Sequence, residues 1–298
     1  MRVKFLFDMP AVMRLRMTMK SLPAILALAL LPVLVCHLPA QNNIGPDLPG
    51  FTRDQIQTEE GVVSFLFRER RGPALILIPG SFTDSRQWEQ VLAWMDADLT
   101  LVLVELRGHG RSWPPPTAGS IEQFAADVLQ IANRRKFRSF YVGGHSIGGM
   151  VALEMGRRWP KRIRGILSIE GWTNYHALYD AFGAAKSPPE ASESQARYEA
   201  ERKRATGGWT DDQRKAFGKI WRNWDGSEFL RTTLLPILEV YGDRGRPKPA
   251  LDQLHIPNRV NIEVRWIAGA SHLVPFEKPD ELAKVMTDFM RRTGTQRR

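Results

Sequence analysis

From residue 61 onward, short blocks of uninterrupted apolar residues alternate with longer blocks in which apolar residues recur every three or four positions. The first pattern marks strands and the second marks helices with one buried face. Gly61–Arg68 reads as an early strand. Ala74–Ile78 is apolar throughout, as expected of a strand buried on both faces of a parallel sheet, and residues 99–104 read as a second buried strand. Between them Trp88, Val91, Leu92 and Met95 fall at helical spacing, introduced by Asp84 and Gln87 as a capping box. Ile121, Phe124, Ala125, Val128 and Leu129 form a second helix face, with Ser120 as cap and Gln123 as its partner. Residues 140–142, 163–169, 236–241 and 261–267 supply further strands, and Leu282, Val285, Met286 and Phe289 mark a closing helix. The alternation predicts an α/β fold, a mostly parallel sheet flanked by helices.

Residues 172–234 break this rhythm. They carry Trp172, Tyr175, Tyr179, Phe182, Pro188-Pro189, a charged run over 190–204, and Trp209, Trp221 and Trp224. A linker would hold few aromatics, so this stretch is expected to be a helical cap inserted over the strand ends. The core then comprises 59–171 and 235–294, and the polar stretch 41–58 is expected to be a linker. Residues 1–40 begin basic and Met-rich and continue into an apolar run over 22–35. That run has the length of a signal-peptide core and is short for a membrane span. The expectation is export, periplasmic or secreted, with retention through an uncleaved N-terminal anchor as the alternative. Membrane contact is expected only through that segment.

The net charge of +10 narrows the partners. Residues 1–40 hold five Lys/Arg and one acid, so the remainder keeps 37 basic against 31 acidic residues, a net +6. No basic run is interleaved with aromatics, so no nucleic-acid partner is expected. Cys36, in the N-terminal apolar run, is the single cysteine, which excludes disulfides within the chain and thiolate metal clusters. The chain has no P-loop and no His-Glu-x-x-His, and no metal or organic cofactor is expected.

The chemistry concentrates around Gly144-His145-Ser146-Ile147-Gly148, directly after the strand at 140–142. A serine hydroxyl becomes a useful nucleophile when a sharp strand-to-helix turn exposes it, which demands small residues two before and two after. Gly144 and Gly148 meet that demand, and the following helix adds its positive end. Of the six histidines, His272 follows the last strand, where a loop can reach the carboxyl ends of neighbouring strands. It is the expected base. The oxyanion donors are expected at the amides of Ile147 and Ser81, with Phe82 next, in the loop Pro79-Gly80-Ser81-Phe82. Phe82, His145 and Trp172 are candidate pocket residues.

These residues, together with Arg107-Gly108-His109-Gly110-Arg111-Ser112, Tyr241-Gly242-Asp243-Arg244 and Gly269-Ala270-Ser271-His272, resemble the α/β-hydrolase fold superfamily in its capped, esterase-like branch, over about residues 60–292. The resemblance implies a triad of serine, histidine and an acid. The position where the acid usually falls is Gly245 here. Glu170, at the tip of the fourth buried strand, is the preferred acid, because some relatives place a glutamate there; Asp243 is the alternative. The resemblance implies a serine hydrolase acting on small to medium carboxylic esters through an acyl-enzyme. Two alternatives stay open. One is amide, lactone, thioester or carbon–carbon hydrolysis by the same triad; the other is a non-catalytic ligand-binding protein of the same fold.

Overall fold

A computed structural model of the chain describes residues 46–116, 118–183 and 192–295. Eight strands form one sheet in the order β1-β2-β4-β3-β5-β6-β7-β8. They are β1 (Thr52–Thr58), β2 (Gly61–Arg68), β3 (Ala74–Ile78), β4 (Thr100–Val104), β5 (Phe140–His145), β6 (Ile163–Ile169), β7 (Ile237–Gly242) and β8 (Ile262–Ile267). The pairs β1–β2 and β2–β4 are antiparallel, and every other pair is parallel. The helices are α1 (Glu89–Leu92), α2 (Ile121–Arg134), α3 (Ile147–Arg158), α4 (Tyr175–Phe182), α5 (Glu193–Thr206), α6 (Asp211–Phe217), α7 (Ser227–Thr232), α8 (Val274–Glu277) and α9 (Pro279–Thr295).

β3 and the last four residues of β4 are apolar at every position because both faces are covered. β3 sends Ile76 and Ile78 into the core layer built with α2 and α3, and Leu75 and Leu77 into the layer built with α1 and α9. β4 divides in the same way, with Val102 and Val104 on one side and Leu101 and Leu103 on the other. Each such buried side chain stabilises the fold by about 2 kcal/mol relative to exposure.

Three local expectations need correction. The stretch 41–58, expected to be a linker, contains β1, an edge strand that pairs with β2 over its whole length. Its sequence, Thr-Arg-Asp-Gln-Ile-Gln-Thr, buries only Ile56, so it lacks the apolar alternation that betrays a strand. The expected capping box at Asp84 is half made. Asp84 accepts from the Arg86 N–H, but the Gln87 side chain turns to the Gly80 N–H at 2.9 Å and the Thr83 hydroxyl at 2.6 Å. Ser120 does cap α2 by accepting from the Gln123 N–H, while the Gln123 side chain reaches Glu60 instead.

The segment between β6 and β7 is helical where described, with α4 to α7 in sequence. Trp172, Trp209 and Trp224 are buried, and Tyr179 is half exposed. Polar contacts tie the segment to the core. Arg204 of α5 grips the buried Asp84 carboxylate with two bonds of 2.6 Å. The Trp209 indole N–H donates to the Gly108 carbonyl at 2.7 Å, and that of Trp224 to Glu154 at 3.0 Å. Pro188-Pro189 and the expected leader over 1–40 lie outside the described residues. No helix among the described residues is long and apolar enough to cross a membrane.

Candidate active site

β5 runs straight into α3 with Ser146 at the junction. Its backbone sits at φ 55° and ψ −121°, a conformation that costs a side-chain-bearing residue about 1–3 kcal/mol. The Ser146 N–H donates to the Ile169 carbonyl at 2.8 Å and helps to hold the turn. The two glycines are required by contact. A Cβ at Gly144 would lie 2.2 Å from the Gly148 carbonyl, and one at Gly148 would lie 2.4 Å from the Ile78 carbonyl oxygen. Ile147 is the first residue of α3, so its N–H has no acceptor one helical turn back.

His272 lies between β8 and α8, and its Nδ1 is 3.0 Å from Oε2 of Glu170. Glu170 directly follows β6, takes φ 51°, and is fully buried. Its Oε1 accepts from the Gly242 N–H at 2.7 Å, and Arg244 donates to both oxygens at 3.2 and 2.6 Å. Burial works to raise the Glu170 pKa, but the hydrogen bonds and positive charges of His272 and Arg244 outweigh it and hold the carboxyl below its ordinary value. Asp243 does not meet His272. It is near the surface and accepts from the Gly245 and Gly269 N–H groups at 2.9 and 2.7 Å, bonds that keep it ionised and tie two turns together.

The second set of donors is expected in the loop after β3. The Gly80 N–H is engaged with Gln87 and the Phe82 N–H with Nε2 of His109 at 2.9 Å. That excludes Phe82 as the reserve donor and leaves the Ser81 N–H, which has no acceptor among the described residues. His109 must accept at Nε2 while its Nδ1 donates to the Arg107 carbonyl at 3.0 Å. Burial pushes its pKa down to about 4, so it stays neutral.

Ser81, Ser146, Ile147 and His272 line one cavity of about 560 Å³. Trp172 lines it as expected, and its indole lies nearly parallel to the His272 ring, at 10° and 5.8 Å between centroids. The other two expected pocket residues are elsewhere. Phe82 turns away into an aromatic cluster with His109, Trp209 and Phe217. His145 is buried behind the serine, where its Nε2 donates to the His272 carbonyl at 2.7 Å; burial and then the neighbouring His272 push its pKa down to about 3. The remaining wall includes Met150, Leu178, Phe182 and Trp221, with Arg244, Arg246 and Glu277 toward the polar side. The sequence marks Phe182 and Trp221 only as aromatics of the inserted stretch and gives no sign of the others. Leu178 and Phe182 share α4 and Arg244 and Arg246 share one loop, but no local spacing ties these to Met150, Trp221 or Glu277. Among the described residues no group of His, Cys, Asp or Glu is arranged to hold a metal.

Comparison with known proteins bears on the family and the fold. The chain is 24% identical over 250 residues to the biotin biosynthesis bifunctional protein BioHC of Cellvibrio japonicus, which covers 75% of this chain and 48% of that one. The matches span less than half the length of the first curated relatives. A thermophilic esterase from Thermogutta terrifontis superposes with a TM-score of 0.65 at 19% identity, covering 81% of this chain and 99% of that one. The N-acyl homoserine lactonase AidH superposes with a TM-score of 0.64 at 21% identity, covering 82% and 97%. At such identities the likeness concerns the fold. The family model matches residues 75–285, from β3 to α9, and by that match the chain belongs to the alpha/beta hydrolase family.

Proposed function

We propose that the protein is a serine hydrolase acting on carboxylic esters of small to medium organic molecules through an acyl-enzyme. The observation that carries this reading is the His272–Glu170 pair opening onto the same cavity as Ser146, Ser81 and Ile147. With Nδ1–H donated to Glu170, the free Nε2 is the basic nitrogen. It takes the Ser146 proton as Oγ attacks the acyl carbon. The resulting imidazolium is stabilised by the ionised Glu170. The oxyanion of the tetrahedral intermediate accepts from the Ser81 and Ile147 N–H groups, a contribution of about 3 kcal/mol per donor in comparable sites. His272 then protonates the leaving alcohol, and water attacks the acyl-enzyme by the reverse path.

The cavity favours an apolar acyl or alcohol group, because Trp172, Leu178, Phe182 and Trp221 face it from the inserted segment. That segment then acts as the cap over the site. The same machinery would accept lactones, thioesters or amides, and the likeness to a lactonase keeps lactones foremost among them. The main support for a non-catalytic binder was Gly245 at the usual acid position. The Glu170–His272 contact weakens it. The basic, then apolar, first forty residues support export or anchoring through that segment.

The test is a fluorophosphonate probe followed by a panel of 4-nitrophenyl esters of graded chain length and matched lactones. Labelling that disappears in Ser146→Ala, with ester turnover, is the expected result. A wild-type protein that neither labels nor turns over any member of the panel would reject the hydrolase reading.

A further inference from the structure

The Glu170 carboxylate is held from three directions. The Gly242 N–H and the His272 ring take one oxygen each, and the Arg244 guanidinium spans both. Arg244 is itself well fixed. Its guanidinium lies 3.8 Å from the centroid of the Phe182 ring, and its backbone N–H donates to the Ala270 carbonyl at 2.9 Å. Its side chain is largely buried and also borders the cavity. A glutamate side chain carries one more rotatable bond than an aspartate, so its carboxylate needs more restraint to meet an imidazole at a fixed angle. A planar guanidinium fork supplies that restraint, which a point-charge ammonium cannot match.

We propose that Arg244 is a positioning residue for this site: it clamps Glu170 in the orientation that meets His272 Nδ1–H. This rests on the reading of Ser146 as nucleophile and His272 as base.

The charges around the pair identify Arg244 as the cation that matters. From β5 comes His145, which burial leaves neutral. From β7 comes the Tyr241 phenol, whose pKa burial raises well above its ordinary value, so it is neutral as well. From the loop after β7 come Arg244, Asp243 and Arg246: Asp243 is occupied by the Gly245 and Gly269 N–H groups, and Arg246 borders the cavity without a hydrogen bond to Glu170 or His272. Past His272, Glu277 uses both carboxylate oxygens on Ser271. The inserted segment presents uncharged Trp172 and Phe182. Removing the Arg244 charge leaves the buried Glu170 carboxylate without its cation, so it takes up a proton at higher pH and the acid limb of the rate profile moves upward.

The experiment compares wild type, Arg244→Met and Arg244→Lys on 4-nitrophenyl butyrate across pH, alongside the pH dependence of fluorophosphonate labelling. Arg244→Met is expected to lower kcat roughly 10- to 100-fold with KM within about threefold, as for a misaligned catalytic group. Its acid limb is expected to rise by about one pH unit, the scale of losing one adjacent charge. Arg244→Lys keeps the charge and is expected to restore the limb but only part of kcat. An acid limb that stays in place in Arg244→Met overturns the proposal, because a merely structural loop anchor would lower kcat without moving it. Should Arg244→Met fail to fold by circular dichroism, Arg244→Lys decides: reduced kcat with an unmoved limb supports the clamp, and wild-type kcat overturns it. A wild-type protein that neither labels nor hydrolyses overturns the hydrolase reading itself, a result distinct from these.

Discussion

His272 Nδ1 and Glu170 Oε2 lie 3.0 Å apart, although 102 residues separate them in the chain. The contact joins the end of β6 to the loop after β8, two strands over in the sheet. Both residues sit at carboxyl ends of parallel strands, so the parallel topology brings them together.

Glu170→Gln keeps the shape of the side chain but removes the charge that supports the imidazolium. kcat on a chromogenic ester is expected to fall by roughly 10⁴-fold, as for loss of the acid in comparable triads. Asp243→Asn disturbs only a turn, and its kcat is expected to stay within about tenfold of wild type, since its carboxylate does not reach the imidazole. The reverse ranking would reject Glu170 as the acid.

Gly148→Ala tests the elbow. The new methyl would sit 2.4 Å from the Ile78 carbonyl oxygen, and backbone on both sides leaves it little room to give way. A loss of about 2 kcal/mol or more is expected, on the scale of overpacking in a tight core. Thermal unfolding should fall by roughly 5 °C or more for a domain of this size. An unchanged midpoint together with full activity would show that the turn is looser than described.

Glu239 makes stability depend on pH. It is fully buried on β7; burial pushes its pKa up to about 8, opposed only in part by hydrogen bonding that includes the Tyr241 hydroxyl at 3.3 Å. In the unfolded chain the group titrates near its ordinary value of 4.5. Below that pH both states hold the proton, and the group does not bias folding. Between the two values the folded protein keeps a proton that the unfolded chain has released, so stability falls as pH rises; above about 8 the loss is complete. Glu239→Gln removes this loss. Its urea midpoint relative to wild type is expected to climb between pH 5 and pH 8, by an amount on the order of a few kcal/mol in stability. A constant difference across that window would show that Glu239 is not the titrating group.

Arg204→Met tests how the inserted segment is held. It leaves the buried Asp84 carboxylate without its two 2.6 Å partners. Breaking one side of a buried pair costs about 3 kcal/mol or more. Limited proteolysis within α5 is expected to quicken, and the double variant Asp84→Asn/Arg204→Met should be less destabilised than Arg204→Met alone. Equal protease resistance in wild type and Arg204→Met would show that other contacts hold α5.

The sheet was legible in the sequence because burial on both faces forces uninterrupted apolar runs, as at Ala74–Ile78. The strand-to-helix turn that carries Ser146 was legible because it tolerates only small residues at 144 and 148. These are local demands, and a short stretch of chain must satisfy them by its own composition. β1 escaped because an edge strand with one buried side chain leaves no apolar period. The sequence favours Glu170 over Asp243 as the partner of His272 only by resemblance, since both stand at the ends of neighbouring strands. The geometry that separates them is the aim of each side chain: Glu170 points inward to His272 and Arg244, whereas Asp243 points into its own turns. The same holds for Phe82 and His145, which sit beside the reactive residues in sequence yet face away from the cavity. Backbone pattern follows from neighbours along the chain, while side-chain partnership across 70 or 100 residues depends on packing among distant elements, which no local spacing records.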